Sequence, residues 1–112
     1  IQALQRWVED EVDAKFGLIV IPSHHHLNPD YFERYAEHLN ASLEQYDRTR
    51  SYNLFLAALQ KRGVRVLGMA PALLQSGRFL SFPDDGHLNA VGHQIVAETL
   101  ADWLKSGFGS KL

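Results

Sequence analysis

Two acids and a histidine stand within four residues in the stretch Phe82-Pro83-Asp84-Asp85-Gly86-His87-Leu88-Asn89-Ala90-Val91-Gly92-His93. Pro83 and Gly86 punctuate a loop, and Asn89 suits the N-cap of the helix-patterned run that follows to about Trp103. A carboxylate that accepts from one imidazole nitrogen fixes the tautomer and leaves the other nitrogen free to take a proton. An acid, Asp84 or Asp85, and His87 on a tight loop ahead of a helix stand where a hydrolase would keep the base half of a catalytic triad. The plainer alternative is a loop histidine whose ring caps or packs on the final helix. The chemistry needs a nucleophile as well, and the loop does not contain one.

Other residues that could do chemistry lie upstream. Ser23 follows an apolar run, but it lacks a Gly-x-Ser-x-Gly elbow and a Gly-Asp-Ser context, so it is not expected to be the nucleophile. His24-His25-His26 invite a metal reading. Adjacent loop residues cannot all point at one ion without unusual backbone geometry, and His38 belongs to a different element. No metal site is expected, and the triplet is read as a solvent-exposed loop flanking a cleft. His93, one turn into the last helix, is read as a packing or supporting residue.

The elements that must position these groups follow from the patterning. Residues 1 to 14 form an amphipathic helix with Leu4, Trp7 or Val8, and Val12 on its core stripe. Leu18 to Ile21 is a short continuous apolar run, as in a strand of a parallel sheet. A loop over 22–29 follows, then a helix from Asn28 or Asp30 to about Tyr46, with Tyr31, Tyr35, Leu39 and Leu43 near one face. Residues 51–61 form another helix, burying Leu54, Phe55, Ala58 and Leu59, and Gly63 stands as its C′ residue. Val64 to Gly68 is the second strand, 69–74 a helical turn, and 76–78 a turn. In the last helix Val91, Ile95, Val96, Leu100, Trp103 and Leu104 recur at helical spacing. The order predicts an α/β domain with a right-handed parallel crossover.

Bulk properties narrow the classes. The 112 residues allow at most one domain, 46% hydrophobic and 21% charged, an ordinary globular composition. A net charge of −2 shows no basic stripe for nucleic acid and no polybasic membrane segment. The absence of cysteine excludes disulfides and thiol nucleophiles. No run approaches the roughly 20 apolar residues of a membrane helix. No signal peptide is visible, and a chain opening on Ile1 is read as having lost its beginning.

The stretch from Phe82 resembles the C-terminal block of the SGNH (GDSL-type) esterase and acyltransferase superfamily, where an Asp and a His lie two or three residues apart before the last helix. Leu18-Ile19-Val20-Ile21-Pro22-Ser23 resembles a strand end found upstream in some bacterial members. The likeness covers roughly residues 17–104 and is specific from Asp84 to Gly92. It implies the C-terminal portion of a three-layer αβα, flavodoxin-like fold with a short parallel sheet. The superfamily's Gly-Asp-Ser nucleophile block is absent, as are its Gly and Asn oxyanion blocks. Asp84 has the commoner spacing to His87; Asp85 has the shorter one of the alginate-acetyltransferase-like branch and is favoured as the orienting acid. The resemblance implies an ester or acylated carbohydrate substrate, no cofactor, and a periplasmic or extracellular setting. Residues 1–112 would then be a single, partial domain, inactive alone. A non-catalytic binding or oligomerisation module with a vestigial Asp-His loop is the competing expectation.

Overall fold

The structure, a computed structural model, describes residues 1–42, 44, 46–82 and 85–107. Its elements are α1 (Gln2–Glu11), β1 (Leu18–Val20), α2 (His24–Leu27), α3 (Pro29–His38), α4 (Arg50–Lys61), β2 (Val66–Gly68), α5 (Ala70–Gln75), β3 (Ser81–Phe82), β4 (Asp85–Leu88) and α6 (Ala90–Lys105). β1 and β2 pair in parallel, Leu18 opposite Val66 and Val20 opposite Gly68, so the α/β class and the parallel crossover are observed. β3 and β4 form a separate antiparallel hairpin.

Local chemistry sets the helix boundaries. Asn28 caps α3 by accepting from the Tyr31 N–H at 3.2 Å, and Pro29 fills the first helical position, where a missing N–H costs nothing. In front of α4, Asp47 Oδ1 accepts from the Thr49 N–H at 2.8 Å and its hydroxyl at 2.7 Å. The Leu- and Ala-rich run of α4 then ends in a Schellman pair. The Gly63 N–H donates to Gln60 O at 2.9 Å and the Val64 N–H to Leu59 O at 3.1 Å. Gly63 adopts φ 72°, the left-handed conformation this ending requires.

The core is small and sits beyond the carboxyl end of β2. Leu67, Met69, Leu73 and Leu80 form its buried centre, with Ile19, Leu27, Leu88, Val91, Ile95, Val96, Leu100 and Trp103 packed around it. Trp103 is thus a core residue, as its spacing predicts, whereas Leu104 is exposed. Tyr52 of α4 ties the strand ends together. Its hydroxyl accepts from the Ala70 N–H at 3.0 Å and donates to Val20 O at 3.3 Å. A Cβ on Gly68 would come within 2.7 Å of that oxygen, so glycine is what lets the ring lie across β2.

Four expectations need correction. The stripe of α1 is not buried: Trp7 is 57% exposed, and Leu4 and Val12 are exposed too. Polar contacts tether this helix instead, Arg65 pairing with Glu9 at 2.5 Å and Gln2 Nε2 donating to Arg62 O at 3.2 Å. In α4 the buried residues are Tyr52 and Leu59, while Leu54 and Phe55 face outward, because the Tyr52 bridge fixes which side meets the sheet. α3 stops at His38, with Asn40 at φ 51°, well short of Tyr46. Its inner residue is Ala36, and Tyr35 and Leu39 are exposed; Leu43 lies outside the described residues. The fourth correction concerns the histidine triplet, which is no exposed loop.

The Tyr52 bridge generates a prediction. Tyr52→Phe keeps the ring but leaves the buried Ala70 N–H without an acceptor, a loss of about 1–3 kcal/mol. A urea unfolding curve should show a lower midpoint with an unchanged slope.

Candidate active site

β3 and β4 convert the expected loop into a hairpin that carries Asp85 and His87 on its second strand. The hairpin is pinned from behind. Asn89 Oδ1 accepts from the Gly92 N–H at 3.0 Å, capping α6, while Asn89 Nδ2 donates to Phe79 O at 2.9 Å. The Asn89 N–H donates to Leu80 O, also at 2.9 Å. One side chain thus starts the helix and ties it to the strand entering the hairpin. Gly92 permits the close approach: a Cβ there would stand 2.6 Å from Leu80 O and 2.9 Å from the Leu88 side chain.

At the front, a single carboxylate oxygen organises the pair. Asp85 Oδ1 accepts the His87 backbone N–H at 2.9 Å and is also paired with the His87 ring at Nδ1. That contact makes Nδ1 the protonated nitrogen and leaves Nε2 as an acceptor. Nε2 has no partner among the described residues. The His87 side chain is 85% exposed and that of Asp85 55%. The backbone N–H of His87, and then its ring, hold the Asp85 carboxyl below its ordinary value of 3.8. Asp84 lies outside the described residues.

The loop after β1 meets this hairpin. The three histidines and Leu27 form the single turn α2, with Ser23 at its N-cap, and His24 and His26 are buried. The rings pack on three tyrosines, His24 and His25 sharing Tyr31. His24 lies edge-on to Tyr31 with centroids 4.2 Å apart, His25 between Tyr31 and Tyr35 at 5.0 and 4.7 Å, and His26 on Tyr52 at 4.8 Å. Arg48 donates to His26 O at 2.9 Å and braces the turn. Among the described residues no group of three or more His, Cys, Asp or Glu is placed to hold a metal ion. His38, at the end of α3, and His93, on the first turn of α6, are both exposed. Sequence reasoning named Asn89 only as a cap and missed Tyr31, Tyr52 and Arg48. The Tyr31/Tyr35 spacing beside three histidines was the available signal for an aromatic packing cluster.

The profile of the family described as "SGNH hydrolase-like domain, acetyltransferase AlgX" matches residues 18–111, and the chain belongs to that family. Comparison with curated proteins gave no match, and comparison with solved structures gave none either. Among the described residues no helix is long and apolar enough to cross a membrane.

Two tests follow. Gly92→Ala removes a glycine from the first turn of a helix, a gain of up to about 1 kcal/mol in propensity. The clash with a backbone carbonyl, an overpacking loss of about 1–3 kcal/mol, should win; the variant should unfold at lower denaturant than wild type. For Asp85, a lowered folded pKa means its contribution to stability is present above the ordinary carboxyl value and lost as pH falls through the lowered one. A carbon-13 titration of the carboxyl should show that lowered midpoint. His87→Ala should restore it only in part, since the backbone N–H, the larger cause, remains.

Proposed function

We propose that residues 1–112 supply the acid–base half of a serine acyl-transfer site, with His87 as general base and Asp85 as its orienting acid. The carrying observation is the Asp85 contact to Nδ1, with Nε2 open to solvent. A serine hydroxyl outside these residues would attack an ester carbonyl while Nε2 takes its proton. Asp85 then steadies the imidazolium, which returns the proton to the departing alcohol. A second hydroxyl, activated by the same nitrogen, releases the acyl group from the serine. Water as that acceptor gives hydrolysis, and an alcohol gives transfer. The family's description as an acetyltransferase favours an acetyl group and an alcohol acceptor. An ester or acylated carbohydrate is the substrate class that the resemblance of the Asp84–Gly92 block implies.

The same proposal makes this chain part of a larger domain. Two parallel strands are fewer than a stable open sheet needs. The accessible surface of 7928 Å² also exceeds the roughly 6,200 Å² expected for a compact monomer of 12.7 kDa. No serine of the chain stands in a Gly-Asp-Ser context. A neighbouring segment would cover the exposed apolar surface and bring the nucleophile.

The test is nitrophenyl acetate turnover by the intact protein and by residues 1–112 alone. In the intact protein His87→Ala or Asp85→Asn should lower kcat by about 10⁴–10⁶, the range for losing one member of a triad. Ser23→Ala should leave it unchanged, and the 112-residue chain should give no turnover. Turnover by that chain which Ser23→Ala abolishes would make Ser23 the nucleophile. Full activity in His87→Ala would sink the triad, and absence of turnover in the intact protein would leave a binding module as the better account.

A further inference from the structure

The hairpin that carries Asp85 and His87 is too short to hold its own position. Among the described residues two positions pair, Ser81 with Leu88 and Phe82 with Asp85, and the register shifts between them. An isolated two-stranded hairpin is marginal in water, so its placement comes from where it is rooted. At the root the outgoing strand is held by burial, with Leu80 7% and Ser81 4% exposed. On the returning strand Leu88 packs against the core, and Asn89 follows it.

All four polar atoms of Asn89 are engaged at that root. Its N–H donates to Leu80 O at 2.9 Å, and its carbonyl accepts from the His93 N–H at 2.9 Å. In the side chain, Oδ1 accepts from the Gly92 N–H at 3.0 Å and Nδ2 donates to Phe79 O at 2.9 Å. The Gly92 bond fixes which end of the amide is oxygen, so the nitrogen end meets the Phe79 carbonyl. Capping needs only the oxygen, and Asp or Ser caps a helix about as well. The cap therefore does not explain the amide. Its nitrogen does something else: it crosses from the start of α6 to the strand entering the hairpin.

We propose that Asn89 is a positioning residue for the Asp85–His87 pair. By holding the Phe79 carbonyl, Nδ2 sets the angle at which the hairpin leaves the core, and so where His87 Nε2 points. The contact within the pair is local, since Asp85 Oδ1 meets both the backbone N–H and the ring of His87. Releasing the Phe79 bond moves the pair as a unit and leaves that contact intact. The consequence for turnover rests on the acyl-transfer reading; the displacement does not.

Two variants of the intact protein provide the test. Asn89→Asp keeps the capping oxygen and loses the donor at neutral pH. Asn89→Ser keeps a capping oxygen on a shorter side chain and adds no charge. In both, hydrogen exchange at the residue-89 amide, relative to its intrinsic rate, should lose roughly tenfold in protection, the upper range for one neutral hydrogen bond. Protection at Gly92 should stay. With nitrophenyl acetate, kcat should fall about 10²-fold at unchanged KM, the loss expected for a misplacement of about 1 Å. Nitrogen-15 NMR at about pH 8, above the ordinary histidine range, should still show His87 as the Nδ1–H tautomer.

Unchanged protection at residue 89 in both variants overturns the clamp. Equal loss at Gly92 overturns it as well, because Asn89 would then act only as a cap. An effect in Asn89→Asp that Asn89→Ser lacks belongs to the added charge and also counts against it. Lowered protection with full kcat removes the positioning role, and a shifted tautomer removes the motion as a unit. Should one variant fail to fold, protection and kcat in the other decide. If the intact wild type gives no turnover, the acyl-transfer reading falls, and exchange with the tautomer decides the displacement by itself.

Discussion

The Tyr52 hydroxyl is the interaction on which the arrangement depends. β1 and β2 share only three paired positions, too few to hold a sheet by themselves. By accepting from Ala70 N–H and donating to Val20 O, the hydroxyl joins the end of one strand to the helix that follows the other. It also satisfies a first-turn N–H that α5 could not satisfy internally. Burial raises its pKa, so the phenol stays a neutral donor and acceptor. The same ring supports His26, which connects the strand ends to the turn beside the hairpin.

From that junction the site inherits its geometry through backbone more than through charge. Solvent screens the contact between His87 and Asp85, since both side chains are exposed. Their attraction alone would not hold one geometry. The His87 N–H locks the carboxylate first, and the ring then meets an acceptor already in place. Asn89 and Gly92 fix the hairpin to α6 by the same logic, through two backbone carbonyls and a helix N–H. The two-residue spacing of Asp85 and His87 allows this, since one oxygen can reach both the backbone and the ring.

What the sequence disclosed follows from which forces are local. The cap at Asn89, the Schellman ending at Gly63, the apolar strand 18–20 and the core stripe of α6 all depend on neighbouring residues, and all are legible. The inward face of α4 is set by a tertiary bond, the Tyr52 bridge, and periodicity pointed to Leu54 and Phe55 instead. The stripe of α1 has the right spacing but nothing here to pack against. The hairpin was hidden because Pro83 and Gly86 read as loop, while its pairing is with residues three and seven positions away. Three consecutive histidines read as polar and exposed. Composition could not reveal that Tyr31, Tyr35 and Tyr52 would supply rings for them.

The same edge of the sheet gathers all of these parts. In an open parallel sheet, ligand-facing loops leave the carboxyl ends of the strands. α2 follows β1 and α5 follows β2, so both turns leave that edge, and the buried core lies just beyond it. The hairpin comes later in the chain, yet the Cβ of His24 faces Gly86 there, and Gly92 of α6 lies close against Leu80 O behind it. The Asp85–His87 pair therefore projects from a platform built of strand ends and aromatic rings, not from a free loop. Such a platform can hold an exposed imidazole in one orientation although the imidazole itself is in water. That is what a base requires if its partner hydroxyl arrives from another part of the fold.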